Sequence, residues 1–489
     1  MNMQRFYLYL NMTKPGEKLI LSYSDTNAKG EGISPAYLIG SIRSLYPKLE
    51  IENSYCYPEN PEAGIDLFLE KLVQETEKEH EDILEQADET DAMFGELYSW
   101  YLRNPEYRSR VQKLVQSAFA GKPEDIISQS VAKALYGEVS PYSATRLERF
   151  AACAFAHFLQ YGMKLTERVE YEFKPMDMGN VMHEALESFA EEVRKRGMKW
   201  TELTEQERNE IADRCLDNIV ADYGNTVLKS SARNEYMIER TRRILRRTVW
   251  ALQKQLEQGE FQPEGFEVTF GGGRIDRVDI MEDQNKVYVK VIDYKTGNTS
   301  FDLVYLYHGL QLQLMIYLDG ALRVEQKKYP DKEIIPAGVF YYNIKDPMIQ
   351  EKIDADVEAV SAGLMKELKM NGLVQADPEL VYRMDSSLGS IPVAFNKDGS
   401  FRKNSSVADR TQFAVLGRYV RTKIEKIRSS ILEGDAEVSP YELGKKNACT
   451  YCPYMTVCGF DRRLSGYEFR RLKNFSDEEL WKAFDREAE

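Results

Sequence analysis

Two runs in the middle of the chain have the residue usage of neighbouring β-strands. They are GGGRIDRVDI at 271–280 and VYVKVIDYKTG at 287–297, and each contains a candidate aspartate. Side chains alternate between the two faces of a strand, so Asp293 and Lys295 should point the same way and Tyr294 the opposite way. The glycine that closes the second run is expected to end its strand.

Helical and strand patterns continue after this pair of runs. A helical pattern begins after Asp302 and carries Gln313 and Tyr317 four positions apart, which places them on one helix face. An alternating, aromatic run at 334–344 predicts a further strand. The polar, turn-rich segment at 373–407 predicts an insertion or a mobile loop.

The beginning of the chain has a different organisation. A helix is predicted to end near Pro15, a strand to follow at 18–24, and a second helix to start at Ser34, with a proline in its first turn. Residues 60–135 are predicted to be helical, with charged, heptad-like stretches. No chemistry is indicated in this part of the chain.

Composition places the chain among globular proteins. Its 489 residues allow two to four domains, and the hydrophobic content of 43% and charged content of 29% are those of a soluble protein. No run of eighteen apolar residues and no signal peptide is visible, so a cytoplasmic location is expected. The net charge of −14 argues against indiscriminate nucleic-acid binding, but a basic groove can lie on an acidic body.

The two strands bring candidate catalytic groups to one place. Asp276 and Asp293 are oxygen ligands of the kind that hard divalent cations prefer, and Lys295 would add positive charge beside them. Such a centre suits phosphodiester cleavage, because the cation activates water and neutralises charge that grows on the phosphate. The alternative interpretation is a salt-bridged hairpin beside an ordinary amphipathic helix.

The whole series of a strand with Asp, a strand with Asp-x-Lys, a glycine and a helix with Gln-x-x-x-Tyr resembles the RecB-like family of PD-(D/E)XK nucleases. The resemblance implies an α/β fold of the restriction-endonuclease type, with a mixed central sheet flanked by helices. It also implies that His183, in a Gly-x-x-x-His context, joins Asp276, Asp293 and the backbone carbonyl of Tyr294 in holding Mg²⁺ or Mn²⁺, with Lys295 as the catalytic lysine. A lone histidine on an amphipathic helix is otherwise more often a structural residue.

Further site residues follow from the same pattern. By the resemblance Gln313 and Tyr317 would contact the DNA strand or brace the site. Arg274 and Arg277 flank the proposed metal site and are predicted to contact DNA, although a basic cluster can also be a solvated surface.

A cysteine cluster near the C-terminus predicts a second metal site. Three cysteines there have the spacing Cys-x2-Cys-x5-Cys: Cys449, Cys452 and Cys458. Zinc and a [4Fe–4S] cluster both commonly take four protein ligands, and Cys153 is expected to be the fourth. Cys56 and Cys215 are the alternatives, in contexts without a metal signature. This one-plus-three arrangement resembles the iron–sulfur staple of AddB-type and Cas4-type nucleases, and zinc stays open as the alternative metal.

The N-terminal segment resembles the end of the second RecA-like domain of UvrD/RecB-type helicases. Lys14 stands where that family has its ATP-contacting arginine, and no phosphate-binding loop of the Gly-x-x-x-x-Gly-Lys-Ser/Thr type exists in the chain, so this chain is not expected to be an ATPase. We therefore predict an inactive helicase-derived segment at 1–138, a nuclease domain at 139–470 and a tail at 471–489.

Together these resemblances favour the AddB-type family and imply a function. The expected reaction is Mg²⁺-dependent exonucleolytic cleavage of single-stranded DNA during resection of double-strand breaks for recombination, with an AddA-type helicase–nuclease subunit as partner. The alternatives are a stand-alone Cas4-like exonuclease, a catalytically silent DNA-binding scaffold and an iron–sulfur electron carrier.

Overall fold

The computed structural model of the chain divides into two compact units, Met1–Ala118 and Phe119–Glu489. The structure describes these residues: 2–24, 33–49, 51, 64–65, 68–69, 72, 89–118, 126–137, 143–166, 175–222, 231–271, 273–349, 356–462 and 466–488. The predicted domain boundary at 138/139 and the strand predicted from the run RVEYEF at 168–173 lie outside these residues.

The first unit is helical in its described parts. Its helices are α1 (Asn2–Thr13), α2 (Tyr37–Leu45), α3 (Glu89–Arg103) and α4 (Pro105–Ala118). A small core holds the unit together: Ile65, Phe68, Leu72, Tyr101 and Val111. The predicted end of the first helix near Pro15 and the predicted helix after Ser34 are confirmed. The strand predicted at 18–24 is wrong: these residues are exposed and pair with no other described strand, although their alternation fits one.

The second unit combines helices with two sheets. Its helices are α5 (Gln129–Tyr136), α6 (Ala144–Ala152), α7 (Ala154–His157), α8 (Pro175–Lys195), α9 (Glu205–Asp222), α10 (Ala232–Glu257), α11 (Leu303–Tyr307), α12 (Gln313–Lys328), α13 (Val357–Glu367), α14 (Pro378–Met384), α15 (Arg410–Glu433), α16 (Met455–Cys458) and α17 (Asp477–Ala488). Its strands are β1 (Gln262–Phe270), β2 (Gly273–Asp283), β3 (Lys286–Lys295), β4 (Glu333–Asn343), β5 (Asn371–Gln375), β6 (Val407–Ala408), β7 (Tyr441–Leu443), β8 (Lys446–Asn447) and β9 (Arg470–Arg471). No described helix has the length and apolar character needed to cross a membrane.

The main sheet has six strands in the order β1-β2-β3-β4-β5-β6. The first three strands are antiparallel neighbours, β3 and β4 are parallel, and β5 and β6 are parallel at the far edge. The parallel step from β3 to β4 requires a crossover, which α11 and α12 provide. This arrangement confirms the predicted mixed sheet flanked by helices.

Two hydrophobic cores cover the two faces of this sheet. One core contains residues of α8, α9 and α10 together with Tyr288, Ile292 and Tyr294 of β3. The other contains residues of α6, α12 and α15 together with Val287, Val289 and Val291. β3 therefore alternates between cores as a strand buried on both faces must, and the face with the three valines is also the face to which Asp293 and Lys295 belong.

Two expected elements differ in the structure. The helix predicted after Asp302 is divided into α11 and α12, because the chain turns at Gly309, whose φ is +77°. The segment at 373–407 is not a mobile insertion: it supplies part of β5, all of α14 and the first residue of β6, and buries Ile391 and Val393 in the core. Its polar, glycine-rich sequence hides these few buried positions.

Candidate active site

The hairpin of β2 and β3 brings the two predicted aspartates together. Arg277 pairs with Ile292 in the antiparallel ladder, and the next position in the same register sets Asp276 opposite Asp293. The backbone N–H of Tyr294 donates a 2.7 Å hydrogen bond to Asp276 Oδ2. Both carboxyl groups are buried. Two acids this close, away from water, need a proton or a cation between them.

Lys295 lies between the aspartates and the crossover helix. Its Nζ is 2.6 Å from Asp293 Oδ2 and donates a 2.8 Å hydrogen bond to Gln313 Oε1. The ammonium also lies over the ring of Tyr341, 5.3 Å from the centroid. The side chain keeps 27% of its surface exposed, so its charge can be reached by a bound substrate.

The Gln-x-x-x-Tyr pair stands at the first turns of α12 and contacts the lysine, not only the solvent. Gln313 Nε2 donates a 2.8 Å hydrogen bond to the hydroxyl of Tyr317, while its other amide atom accepts from Lys295. The side-chain amide of Gln313 is thereby fixed at both ends, which orients the ammonium. A direct contact of either residue with DNA stays a prediction.

A carboxylate that the sequence patterns did not single out caps this helix. Glu148 of α6 accepts hydrogen bonds from the backbone N–H groups of Leu312 and Gln313, at 2.7 and 2.9 Å. Leu312, the N-cap residue of α12, has no side-chain capping bond of its own, so Glu148 supplies the cap from another helix. Burial raises the pKa of Glu148 to about 7, opposed by these two hydrogen bonds and by the charge of Lys295.

His183 reaches the centre from α8. Its Nδ1 lies 3.4 Å from Asp276 Oδ2 and 3.9 Å from Glu267 Oε1, and its ring meets the ring of Tyr294 edge-on. The predicted histidine is therefore beside the predicted aspartate. Glu267, on β1, is a second carboxylate that sequence reasoning missed, since nothing in its local pattern distinguishes it from the other acids of the chain.

The close acids shift the pKa values of the centre. Burial raises the pKa of Asp293 to about 7, the charge of Asp276 adds to the rise, and Lys295 opposes it. Burial lowers the pKa of His183, but hydrogen bonding to Asp276 and Glu267 outweighs this and raises it to about 10. A protonated imidazole thus offsets part of the acidic charge, and a metal cation would have to displace that proton.

The two arginines predicted to contact DNA lie in different environments. Arg274 is 61% exposed, and its Nε is 2.6 Å from Glu267 Oε2. Arg277 is buried on the other face, where it binds both oxygens of Asp279, a residue that Lys290 also contacts. The predicted DNA contact of Arg277 does not fit the structure, because its charge is consumed in a buried ion pair. Adjacency to Asp276 in sequence puts it on the opposite face of the strand.

The donor atoms of the centre fit a hard divalent cation. Carboxylate oxygens of Asp276 and Glu267 and an imidazole nitrogen of His183 lie within 4.8 Å of one another, with Asp293 opposite Asp276 in the ladder. Oxygen-rich sites with one imidazole suit Mg²⁺ or Mn²⁺, whereas no thiol is present to favour a softer metal. The backbone carbonyl of Tyr294 as a further ligand stays a prediction.

The four predicted cysteines converge at a separate place. Cys153, at the C-terminal end of α6, lines one small apolar pocket with the three C-terminal cysteines: Cys449, Cys452 and Cys458. Arg149 Nη2 lies 3.9 Å from the sulfur of Cys452. Burial and the three neighbouring thiols raise the pKa of Cys449 to about 12. Cys215 lies instead in the core between α8 and α10 and is no partner of these thiols, while Cys56 lies outside the described residues.

Comparison with protein families decides what kind of centre this is. A model of the PD-(D/E)XK nuclease superfamily matches residues 141–459. The chain belongs to the PD-(D/E)XK nuclease superfamily. The match begins just before α6 and ends just after Cys458, so the nuclease region includes all the site residues and all four converging cysteines.

The nuclease also has long relatives among curated proteins, which are named as the B-type subunit of an ATP-dependent helicase/deoxyribonuclease. It is 40% identical over 509 residues to that of Lachnoclostridium phytofermentans. It is 32% identical to those of Clostridium acetobutylicum and Alkaliphilus metalliredigens, over 514 and 516 residues. These alignments cover 99% of the chain but only 43 or 44% of the relatives, so the chain spans less than half of their length. The predicted resemblance to the AddB-type family is confirmed.

Proposed function

We propose that this chain carries the nuclease of an AddB-type helicase/deoxyribonuclease subunit and hydrolyses phosphodiester bonds in single-stranded DNA with Mg²⁺ or Mn²⁺. The observation that carries the proposal is the position of Lys295, whose ammonium contacts Asp293 and Gln313 beside the acidic group of Asp276 and His183. A structural ion pair would need neither the second acid nor the bracing amide.

The residues divide the work of cleavage. Asp276, Asp293 and His183 would hold the cation, which when bound lowers the pKa of water and offsets negative charge on the phosphate. Lys295 faces the same space and stabilises the charge that develops on the phosphate oxygens. Gln313 keeps that ammonium in place, because its own amide is fixed by Tyr317.

The converging thiols support a [4Fe–4S] cluster over zinc. A tetrahedral zinc site with bonds of about 2.3 Å sets its sulfurs about 3.8 Å apart. Among the described residues the only group of three donor side chains within 4.8 Å is at the acidic centre, so no three of these sulfurs come that close. The wider spacing and the apolar pocket favour the larger cluster, which would join Cys153 to the C-terminal cysteines.

The partner and process follow from the relatives. Since those proteins are named as one subunit of a helicase/deoxyribonuclease, we propose an AddA-type partner that supplies the ATP-driven motor. Resection of double-strand breaks for recombination is the process that such an assembly would serve. The acidic charge of −14 suits a nuclease that receives its strand from a partner and does not collect DNA unaided.

Replacement of the lysine tests this function. Lys295→Ala should lower the cleavage rate of single-stranded DNA by about a hundredfold or more, because one preorganised charge at the reacting phosphate is lost. Wild type should cleave with Mg²⁺ and stop with EDTA. Rates are measured on a labelled oligonucleotide with protein purified without oxygen, alone and with the partner subunit.

The matched control is Lys286→Ala, at the exposed start of the same strand. It should cleave like wild type. Equal cleavage by Lys295→Ala and wild type would contradict the assigned role of the lysine. No cleavage by folded wild type, even with its partner, would contradict the nuclease and favour a DNA-binding scaffold.

A further inference from the structure

Glu267 lies at the acidic centre without belonging to the series of residues that identifies the fold. Its Oε1 is 3.9 Å from Nδ1 of His183. Donor atoms of Glu267, His183 and Asp276 come within 4.8 Å of one another, and no other described triplet of potential ligands is as close. Its side chain is only 10% exposed, so the carboxylate is held inside the centre and not in solvent.

The ladder explains why a residue of β1 reaches this place. Phe266 pairs with Arg277 and Val268 with Ile275, so Glu267 lies between these pairs, in the row of Asp276. The same row continues to Asp293 on β3. Three neighbouring strands therefore each contribute one carboxylate at the same level of the sheet.

The backbone of Glu267 is unusual for a strand residue. Its φ is +48°, a left-handed conformation that costs a non-glycine residue about 1 kcal/mol. Phe266 packs against the core with α8 to α10, whereas Val268 packs against the opposite core. Regular alternation would put both on one face, so the chain turns over at Glu267. Strained residues of this kind are concentrated at functional sites.

The two oxygens of this carboxylate have different environments. Arg274 Nε is 2.6 Å from Oε2, and this arginine is largely exposed. Oε1 instead faces His183. The arginine therefore anchors one oxygen from outside and leaves the other directed at the donor atoms of His183 and Asp276.

We propose that Glu267 is a ligand of the divalent cation, which it binds through Oε1 together with His183 and Asp276. Arg274 then acts as a positioning residue that holds Oε2. The inference rests on the proposed metal-dependent nuclease, and it adds a third carboxylate to the two that the Asp and Asp-x-Lys pattern supplies. Added negative charge among the ligands strengthens binding of a hard cation.

Direct binding of Mn²⁺ tests the proposal without any cleavage assay. Titration calorimetry is performed with protein purified without oxygen, in the absence of DNA. Glu267→Gln should weaken Mn²⁺ binding by about tenfold or more, because an oxygen ligand and its charge are lost. Asp276→Asn should weaken it at least as much.

Two controls separate a ligand from a nearby charge. Glu187 on α8 is close enough to Glu267 for each charge to affect the other, yet it is not in the triplet. Glu264 lies on the same strand and has its own ion pair, with Lys328 at 2.9 Å. Glu187→Gln and Glu264→Gln should change Mn²⁺ binding by less than about threefold, the effect of a distant or screened charge.

The outcomes distinguish this inference from the proposed function. Mn²⁺ binding by wild type that Glu267→Gln leaves within threefold would overturn the ligand role and leave the nuclease standing. Failure of wild type to bind Mn²⁺ would overturn both. Thermal unfolding verifies that each variant is folded. If Glu267→Gln does not fold, Glu267→Asp is used: its shorter side chain should still weaken binding severalfold, and unchanged affinity would overturn the ligand role.

Discussion

His157 is fully buried among aromatic rings, where it accepts a 3.2 Å hydrogen bond at Nε2 from Nε of Arg146. The rings of Phe150 and Tyr161 lie 5.5 and 5.2 Å from it. Burial lowers its pKa to about 3, and the positive charges of Arg146 and Arg149 act in the same direction. The imidazole is therefore neutral in the folded protein at every pH at which the fold is used.

This single residue makes stability depend on pH. The pKa of His157 is about 3 in the folded chain, against the ordinary 6.5, so below pH 6.5 the unfolded chain binds a proton that the folded chain refuses. Its contribution to stability is complete above pH 6.5 and declines as the pH falls. His157→Gln should remove about 1 kcal/mol of the stability that wild type loses between pH 7 and 5.5.

Urea unfolding at the two pH values measures this difference. Gln can still accept from Arg146, so folding at pH 7 should be kept. Parallel loss of stability in wild type and variant would show that other groups cause the acid sensitivity.

At the residue scale the sequence predicts the members of the centre that stand close together in the chain. Asp293 and Lys295 are two positions apart on a strand, and Gln313 and Tyr317 are one helical turn apart, so local periodicity relates them. Glu267 escapes prediction because its role depends on the register between β1 and β2. The wrong assignment of Arg277 has the same origin, since its partner Asp279 takes it to the other face.

At the scale of elements, α6 shows how two distant segments are joined. Ser143 accepts a 3.4 Å hydrogen bond from the N–H of Arg146, as its predicted N-cap role requires. The helix ends at Cys153, not beyond it, since Cys153 is extended with φ −166°. Between these ends Glu148 caps α12. Capping between helices depends on tertiary packing, which is why the sequence predicted the helix and the thiol but not the carboxylate.

Removal of this cap should affect catalysis more than DNA binding. Glu148→Ala leaves two N–H groups of α12 without their acceptor, which should cost about 1 kcal/mol of stability. Because Gln313 then loses its fixed position, kcat should fall by about tenfold or more while KM for DNA changes little. Steady-state cleavage kinetics measure both constants.

Glu148→Gln is the matched variant, since its amide oxygen can still accept both hydrogen bonds. It should retain most of the wild-type kcat. If Ala and Gln behave alike, or if both mainly raise KM, the carboxylate does not act by positioning α12.

At the scale of the whole molecule, the thiol pocket ties together parts of the chain that are nearly 300 residues apart. Cys153 precedes the central sheet, while Cys449, Cys452 and Cys458 follow it. A bound cluster would close this long loop, and closure of a long loop removes much of the freedom of the unfolded chain. The sequence predicted this convergence because cysteines are rare and their spacing is specific.

Loss of one thiol tests the cluster. Cys153→Ser should remove the brown absorbance near 400 nm, lower the iron content, and lower the urea midpoint of the nuclease unit, because the loop is no longer closed. Iron analysis and urea unfolding are carried out on protein purified without oxygen.

Cys215→Ser is the control, since that cysteine is buried elsewhere, in the core beside α9. It should keep the wild-type content of iron. Stoichiometric zinc without iron in wild type would replace the cluster by a zinc site, and equal metal content in Cys153→Ser would exclude Cys153 as a ligand.

Helix α6 gives this molecule a short mechanical route between its two metal centres. Its nine residues span about 13 Å, with a thiol of the pocket at one end and the cap of α12 in the middle. From that cap, Gln313 and then Lys295 follow by successive hydrogen bonds. Oxidative damage at the thiols would thus reach the scissile phosphate as a misaligned ammonium, and a damaged enzyme would stop cutting before it unfolds.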